Sequence, residues 1–129
     1  MSRRFTGFTE AELAYLTEEG VGRLGRLATV DADGAPQNSP VGFRVDPATG
    51  AVTIGGWDLA NTRKFRNVAT NPHVALVIDD VASVSPWRVR GIELRGTAEA
   101  LTDVDPPIPG TSRAVIRIHP TRIITWGLD

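Results

Sequence analysis

The residues best equipped for chemistry gather around one glycine pair. Gly55-Gly56 lets the backbone come close to a bound molecule, because no Cβ stands in the way. The pair leads through Trp57 and Asp58 into Leu59 to Val68, a polar segment that reads as a helix capped by Asp58 or Asn61. A helix start offers unpaired N–H groups and the positive end of the helix dipole, which suits a phosphate. Thr62 adds a hydroxyl donor, and Arg63, Lys64 and Arg66 add positive charge. The same features describe a solvated basic helix face equally well. Lys64 is the only lysine among 14 basic residues. Codon bias in a GC-rich genome accounts for that, as does a need for a compact ammonium at this one place.

Other catalytic constellations are scarce. Without cysteine the chain has no thiolate nucleophile, thiolate metal site or disulfide framework. His73 and His119 stand far apart with no metal-ligand spacing around either, so no metal is expected. His73 reads as the start of a strand, and His119 as the residue before a bend at Pro120. Asp79-Asp80 reads as a solvated turn, and Ser39, Ser83, Ser85 and Ser112 lack a nucleophile-elbow context. Trp57, Trp87 and Trp126 are expected in core or subunit interface before cofactor wall. Arg88, Arg90 and Arg95 cannot all be buried in one strand, which gives that strand a wet or interfacial face. Glu93 would pair with cross-strand neighbours of Arg95.

The elements that must hold these residues are mostly strands. Thr9 and Glu12 fit a capping box over a short helix with Leu13 and Leu16 at helical spacing, stopped by Gly20. From Val21 the period changes to two and runs to the turn Asp31-Ala32-Asp33-Gly34. Pro36 to Val45 and Ala51 to Gly55 add two strands across the turn at Asp46 to Gly50. After the basic segment, ended by Asn71-Pro72, His73 to Ile78 is apolar on both faces and predicts a buried strand. A long strand, Trp87 to Leu101, follows. The proline-rich segment Asp103 to Gly110 can only be loop. A last strand, Ala114 to Trp126, bends near Pro120. Six strands in 129 residues favour closure, since a closed sheet leaves no edge to aggregate. The expectation is a single domain over 1–129, mainly β: a six-stranded antiparallel barrel with short helices.

Charge and composition narrow the function classes. A net charge of −1 and 6% aromatics argue against a nucleic-acid binder. No apolar run approaches the roughly 20 residues of a membrane span, and the apolar stretch of a secretory signal is missing behind Arg3-Arg4, so a cytoplasmic protein is expected.

Taken in order, the pieces resemble the pyridoxamine 5′-phosphate oxidase-like split-barrel family, most closely its actinobacterial branch that uses the deazaflavin coenzyme F420. The stretches that carry the resemblance are Gly22 to Val30 with the Asp33-Gly34 turn, and Pro36 to Phe43. Asn61 to Val68 with Asn71 to Val77, Arg90 to Gly96, and Ile118 to Gly127 complete it. The resemblance implies a homodimer with coenzyme F420, or alternatively FMN, between the subunits. Gln37, Asn38, Ser39, Pro40 and Val41 would line the isoalloxazine ring, largely through backbone groups. Thr62, Arg63 and Lys64 would hold the phosphate, Trp57 would flank the ribityl chain, and Trp126 would pack near the cofactor from the other subunit. Arg63, Arg66 and a mobile Arg3-Arg4 would meet the anionic glutamyl tail. Such coenzymes deliver hydride themselves, the protein supplying position and electrostatics. The implied activity is therefore hydride transfer to an unsaturated small-molecule acceptor. An FMN-binding flavin reductase-like protein and a non-catalytic cofactor carrier are the alternatives. Vitamin B6 oxidation is not expected: Gly91 stands where true oxidases carry glutamine, and the sequence ends three residues after Trp126.

Overall fold

The computed structural model describes residues 1–128; Asp129, on which the reading of a short C-terminal end falls, lies outside them. Period-two alternation does set the strands. In β2 (Gly25–Val30), Gly25, Leu27 and Thr29 turn inward while Arg26 faces water. The remaining strands are β1 (Ser2–Arg4), β3 (Pro36–Val41), β4 (Phe43–Val45), β5 (Val52–Ile54), β6 (His73–Ser83), β7 (Arg88–Leu101) and β8 (Val115–Trp126). All pairings are antiparallel, in the order β3-β2-β6-β7-β8-β5-β4, with β1 added on β8.

The order explains the closure. β3 and β4 lie at opposite ends of the sheet, yet only Gly42 separates them in sequence. One extended segment therefore pairs through its first half with β2 and through its second half with β5, which curls the sheet into a split barrel. Counting that segment once, the wall has the six strands expected, and Pro36–Val45 is corrected from one strand to two. The segment changes partner at Gly42, the one residue between its two halves. Leu27, Leu76, Ile78, Ile92, Leu94, Ile116 and Ile118 fill the interior with no accessible surface. Each such side chain contributes about 1.5–3 kcal/mol on burial.

The helices lie outside this core. α1 (Glu10–Leu16) opens with the expected capping box: Glu12 N–H donates to Thr9 Oγ1, and Thr9 N–H to Glu12 Oε1. Arg3 donates to both carboxylate oxygens of Glu12, at 2.7 and 2.8 Å. That holds the Glu12 carboxyl below its usual range and ties β1 to α1. Arg3 is thus anchored, contrary to the expectation of a mobile Arg3-Arg4, and β1 itself left no sequence signal. Leu59 to Val68 is also redrawn. A 3-10 turn, Leu59–Asn61, precedes α2 (Arg63–Thr70), and the cap is Thr62, not Asp58 or Asn61.

β6 continues well past Ile78, so Asp79-Asp80 lies within a strand and not at a solvated turn. The reason is a charge network. Arg90 donates to both oxygens of Asp80, at 2.9 and 3.0 Å, and the Tyr15 hydroxyl donates to Oδ1 at 2.8 Å. Arg23, its side chain only 7% exposed, lies 3.4 Å from Asp80 and stacks 4.1 Å over the Tyr15 ring. The Arg90 hydrogen bond, seconded by that from Tyr15, holds the Asp80 carboxyl down at about 2. Burial, with the bond to Asp80, pushes the Tyr15 hydroxyl up to about 12. Arg95 bonds Glu93 on its own strand, where a cross-strand partner was expected. His119 meets Glu99 at 2.8 Å.

Candidate cofactor-binding site

The seam of the barrel is where the chemistry-bearing residues meet. Beside Gly42, a groove of about 330 Å³ opens between the end of β3 and the turn at Gly55 to Asp58. Pro40, Val41, Trp57, Thr62 and Lys64 line it, as do Gly42, Gly55, Gly56, Asp58 and Leu59. Sequence reasoning had named the first five as ligand residues and had missed Gly42 and Leu59. A glycine in mid-strand was the available signal for the first.

Local forces place each wall. β3 is an end strand of the sheet and carries Pro36 and Pro40, which an interior strand would not tolerate. Its outer edge therefore keeps backbone groups unpaired, which suits recognition of a polar ring edge by main chain. α2 is seated from below by Asn67, which is buried and donates to Thr29 Oγ1 at 3.0 Å and to Gln37 Oε1 at 3.3 Å. Gln37 thus commits its side-chain oxygen under the helix. The Ser39 hydroxyl is buried without a hydrogen-bond partner, and Asn38 is exposed.

The start of α2 holds the positive end of the groove. The Thr62 hydroxyl donates to the Leu59 carbonyl at 2.6 Å and accepts from Phe65 N–H at 3.4 Å. Its proton is therefore committed, and it serves as a helix cap where a phosphate donor was expected. Lys64 is half-buried at the groove wall and has no ion-pair partner among the described residues. Arg63 is exposed at the helix start, outside the groove lining. Arg66 folds back onto the Asn61 carbonyl at 2.9 Å. Asp58, the one carboxylate of the groove, accepts from Asn61 Nδ2 at 2.8 Å. A half-buried lysine, a helix N-terminus and a glycine turn together fit a phosphate ester with a flat ring beside it.

Trp126 does not join this groove within one chain. It lines a separate crevice with Met1, Thr9, Ala11 and Glu12. Its ring lies on Gly91, where an added Cβ would fall 2.5 Å from Cζ2. No side chain fits at position 91 with Trp126 so placed. Among the described residues, no three His, Asp or Glu side chains form a metal cradle, and no helix is long and apolar enough to cross a membrane.

Residues 9–127 match the family model described as pyridoxamine 5′-phosphate oxidase. The chain belongs to this family. Within it, the chain is 47% identical over 123 residues to a 5a,11a-dehydrotetracycline/5a,11a-dehydrooxytetracycline reductase of Streptomyces rimosus, covering 95% of this chain and 84% of that one. A putative pyridoxamine 5′-phosphate oxidase from Lactobacillus delbrueckii superposes with a TM-score of 0.68 at 26% identity, covering 95% and 98% of the two chains. A solved structure named F420 reductase gives 0.64 at 25% identity, covering 86% and 94%.

Proposed function

We propose that this chain is an oxidoreductase that binds coenzyme F420 in the seam groove and reduces an unsaturated small-molecule acceptor. The observation that carries the reading is the convergence of Lys64, the N-terminus of α2 and the Gly55-Gly56 turn on one groove beside the open edge of β3. The similarity to a dehydrotetracycline reductase and to an F420 reductase supports the reductase direction and the coenzyme. When bound, the reduced coenzyme supplies a hydride, and a proton from water completes reduction of the acceptor's carbon–carbon double bond, the coenzyme ending oxidised.

The chain's own residues bind and orient. The Lys64 ammonium and the first N–H groups of α2 neutralise the phosphate, and the backbone from Gln37 to Val41 meets the polar edge of the ring. The Trp57 indole covers the linking chain. The acid–base burden on the protein is small, which agrees with a groove whose ionisable groups are Lys64 and Asp58 alone. In a homodimer, Trp126 of the partner subunit would close the open side of the groove.

Titrating the purified protein with coenzyme F420 and with FMN, followed by fluorescence, tests the assignment. Tighter binding of F420 is expected. FMN binding far tighter than F420 would overturn it.

A further inference from the structure

We propose that the apolar crevice next to the groove receives the end ring of a flat, fused-ring acceptor bearing an anionic oxygen; this rests on the reductase reading above. The crevice measures about 210 Å³ and shares Gly42, Gly55, Gly56 and Trp57 with the groove. Glycine backbone and one indole thus form the whole common border. Its other apolar walls are Phe43, Pro107 and Ile108. An apolar cavity of about 150 Å³ suffices for benzene, so this space takes one six-membered ring with substituents and leaves the rest of a larger body outside.

The segment 103–113 is the lid of this crevice, and it is docked. Ser112 N–H donates to the Gly56 carbonyl at 2.8 Å, and Val104 N–H to the Arg113 carbonyl at 3.0 Å. Pro107 lies so close that a Cβ on Gly55 would fall 2.9 Å from its Cγ. Gly110 stands within ordinary contact of the Trp57 ring, its Cβ position 3.6 Å from Cζ3. The loop thereby stands over an indole that is 78% exposed and otherwise has little to pack on.

Polarity selects the ligand. The Thr111 hydroxyl proton is taken by the Ile108 carbonyl at 2.7 Å. Arg44, at the crevice and exposed, has no ion-pair partner among the described residues. A ring that buries apolar surface here while offering an enolate, phenolate or carboxylate to Arg44 satisfies both features. A neutral ring leaves the guanidinium unused.

The test follows backbone amide signals of the ¹⁵N-labelled protein during titration with 2-naphthoate and, separately, with neutral 2-naphthamide. Naphthoate is expected to shift Gly55, Ile108 and Thr111 and to bind more tightly than the amide. Ile108→Glu should weaken naphthoate at least tenfold, and Arg44→Ala should bring it to the affinity of the amide. In both variants the dissociation constant for coenzyme F420 should stay within about twofold. Shifts centred on Met1 and Trp126, or variants that bind naphthoate as tightly as the parent, overturn the proposal. Coenzyme binding lost with these naphthoate shifts intact counts against the reductase reading and supports the crevice. Intact coenzyme binding without shifts in the crevice removes the crevice alone.

Discussion

Lys64 combines half-burial, a helix N-terminus and the lack of an ion-pair partner among the described residues, and nothing in the packing alone requires all three. Removing its ammonium by Lys64→Ala should weaken coenzyme binding by about 1.5–3 kcal/mol, the range for a hydrogen bond to a charged group. A fluorescence titration reads the change directly, and an unaltered affinity would put the phosphate elsewhere. Asp80 makes the opposite kind of prediction, about stability. Its folded carboxyl titrates near 2 because Arg90 and Tyr15 bond the charged form, against about 3.9 in an unfolded chain. A depressed folded value stabilises above the unfolded one, and that stabilisation is lost as pH falls from about 4 through 2. Asp80→Asn should cost about 2 kcal/mol in urea unfolding at neutral pH, by leaving Arg23 and Arg90 short of their anion. The gap between parent and variant should close as pH is lowered through that window. The sequence hid this network because its members come from α1, the segment before β2, and two neighbouring strands. Spacing of Asp79-Asp80 alone pointed to a turn.

α2 was legible as a basic amphipathic helix, but its first turn was not. Leu59–Asn61 is a 3-10 turn because Leu59 is drawn into the core and Thr62 then closes the turn by bonding its carbonyl. Burial of one leucine is tertiary information, which local propensity does not carry. The seat of α2 is equally non-local: Asn67 reaches Thr29 and Gln37 on two strands. Asn67→Leu takes the amide donor away from the buried Thr29 hydroxyl and leaves the half-buried Gln37 oxygen with Thr29 Oγ1, at 3.4 Å, as its remaining partner. It should therefore cost about 1–3 kcal/mol. Because the same helix aims the Lys64 ammonium, coenzyme affinity should fall with stability in this variant, as titration and thermal unfolding of one preparation would reveal. Affinity unchanged alongside lost stability would mean that α2 does not need this seat to present its N-terminus.

At the scale of the whole barrel, six strands and their closure follow from turns and alternation, whereas the place of closure does not. Nothing in Pro36–Val45 announces that its halves serve opposite ends of the sheet; only Gly42 marks the change, and a lone glycine is a weak signal. Partners across a dimer are harder still, since one chain's pattern cannot separate an interface from a core. The surface does single out one region. On the hairpin joining β6 and β7, Val81, Val84, Trp87 and Val89 are all exposed, Trp87 at 67%, and Val81 sits opposite Val89 in the ladder. Soluble monomers seldom group exposed large apolar side chains in this way, and a second copy of the chain is the occupant that the proposed two-subunit site would take. Trp87→Glu combined with Val84→Glu should convert a dimer into a monomer by light scattering, because two unpaired carboxylates would have to be buried at the joint. Neither side chain belongs to the barrel interior, so the monomer should keep its thermal transition. If the partner subunit's Trp126 closes the groove, coenzyme affinity must drop with the loss of the dimer. A monomer that bound coenzyme F420 as tightly as the dimer would show that one chain completes the site alone.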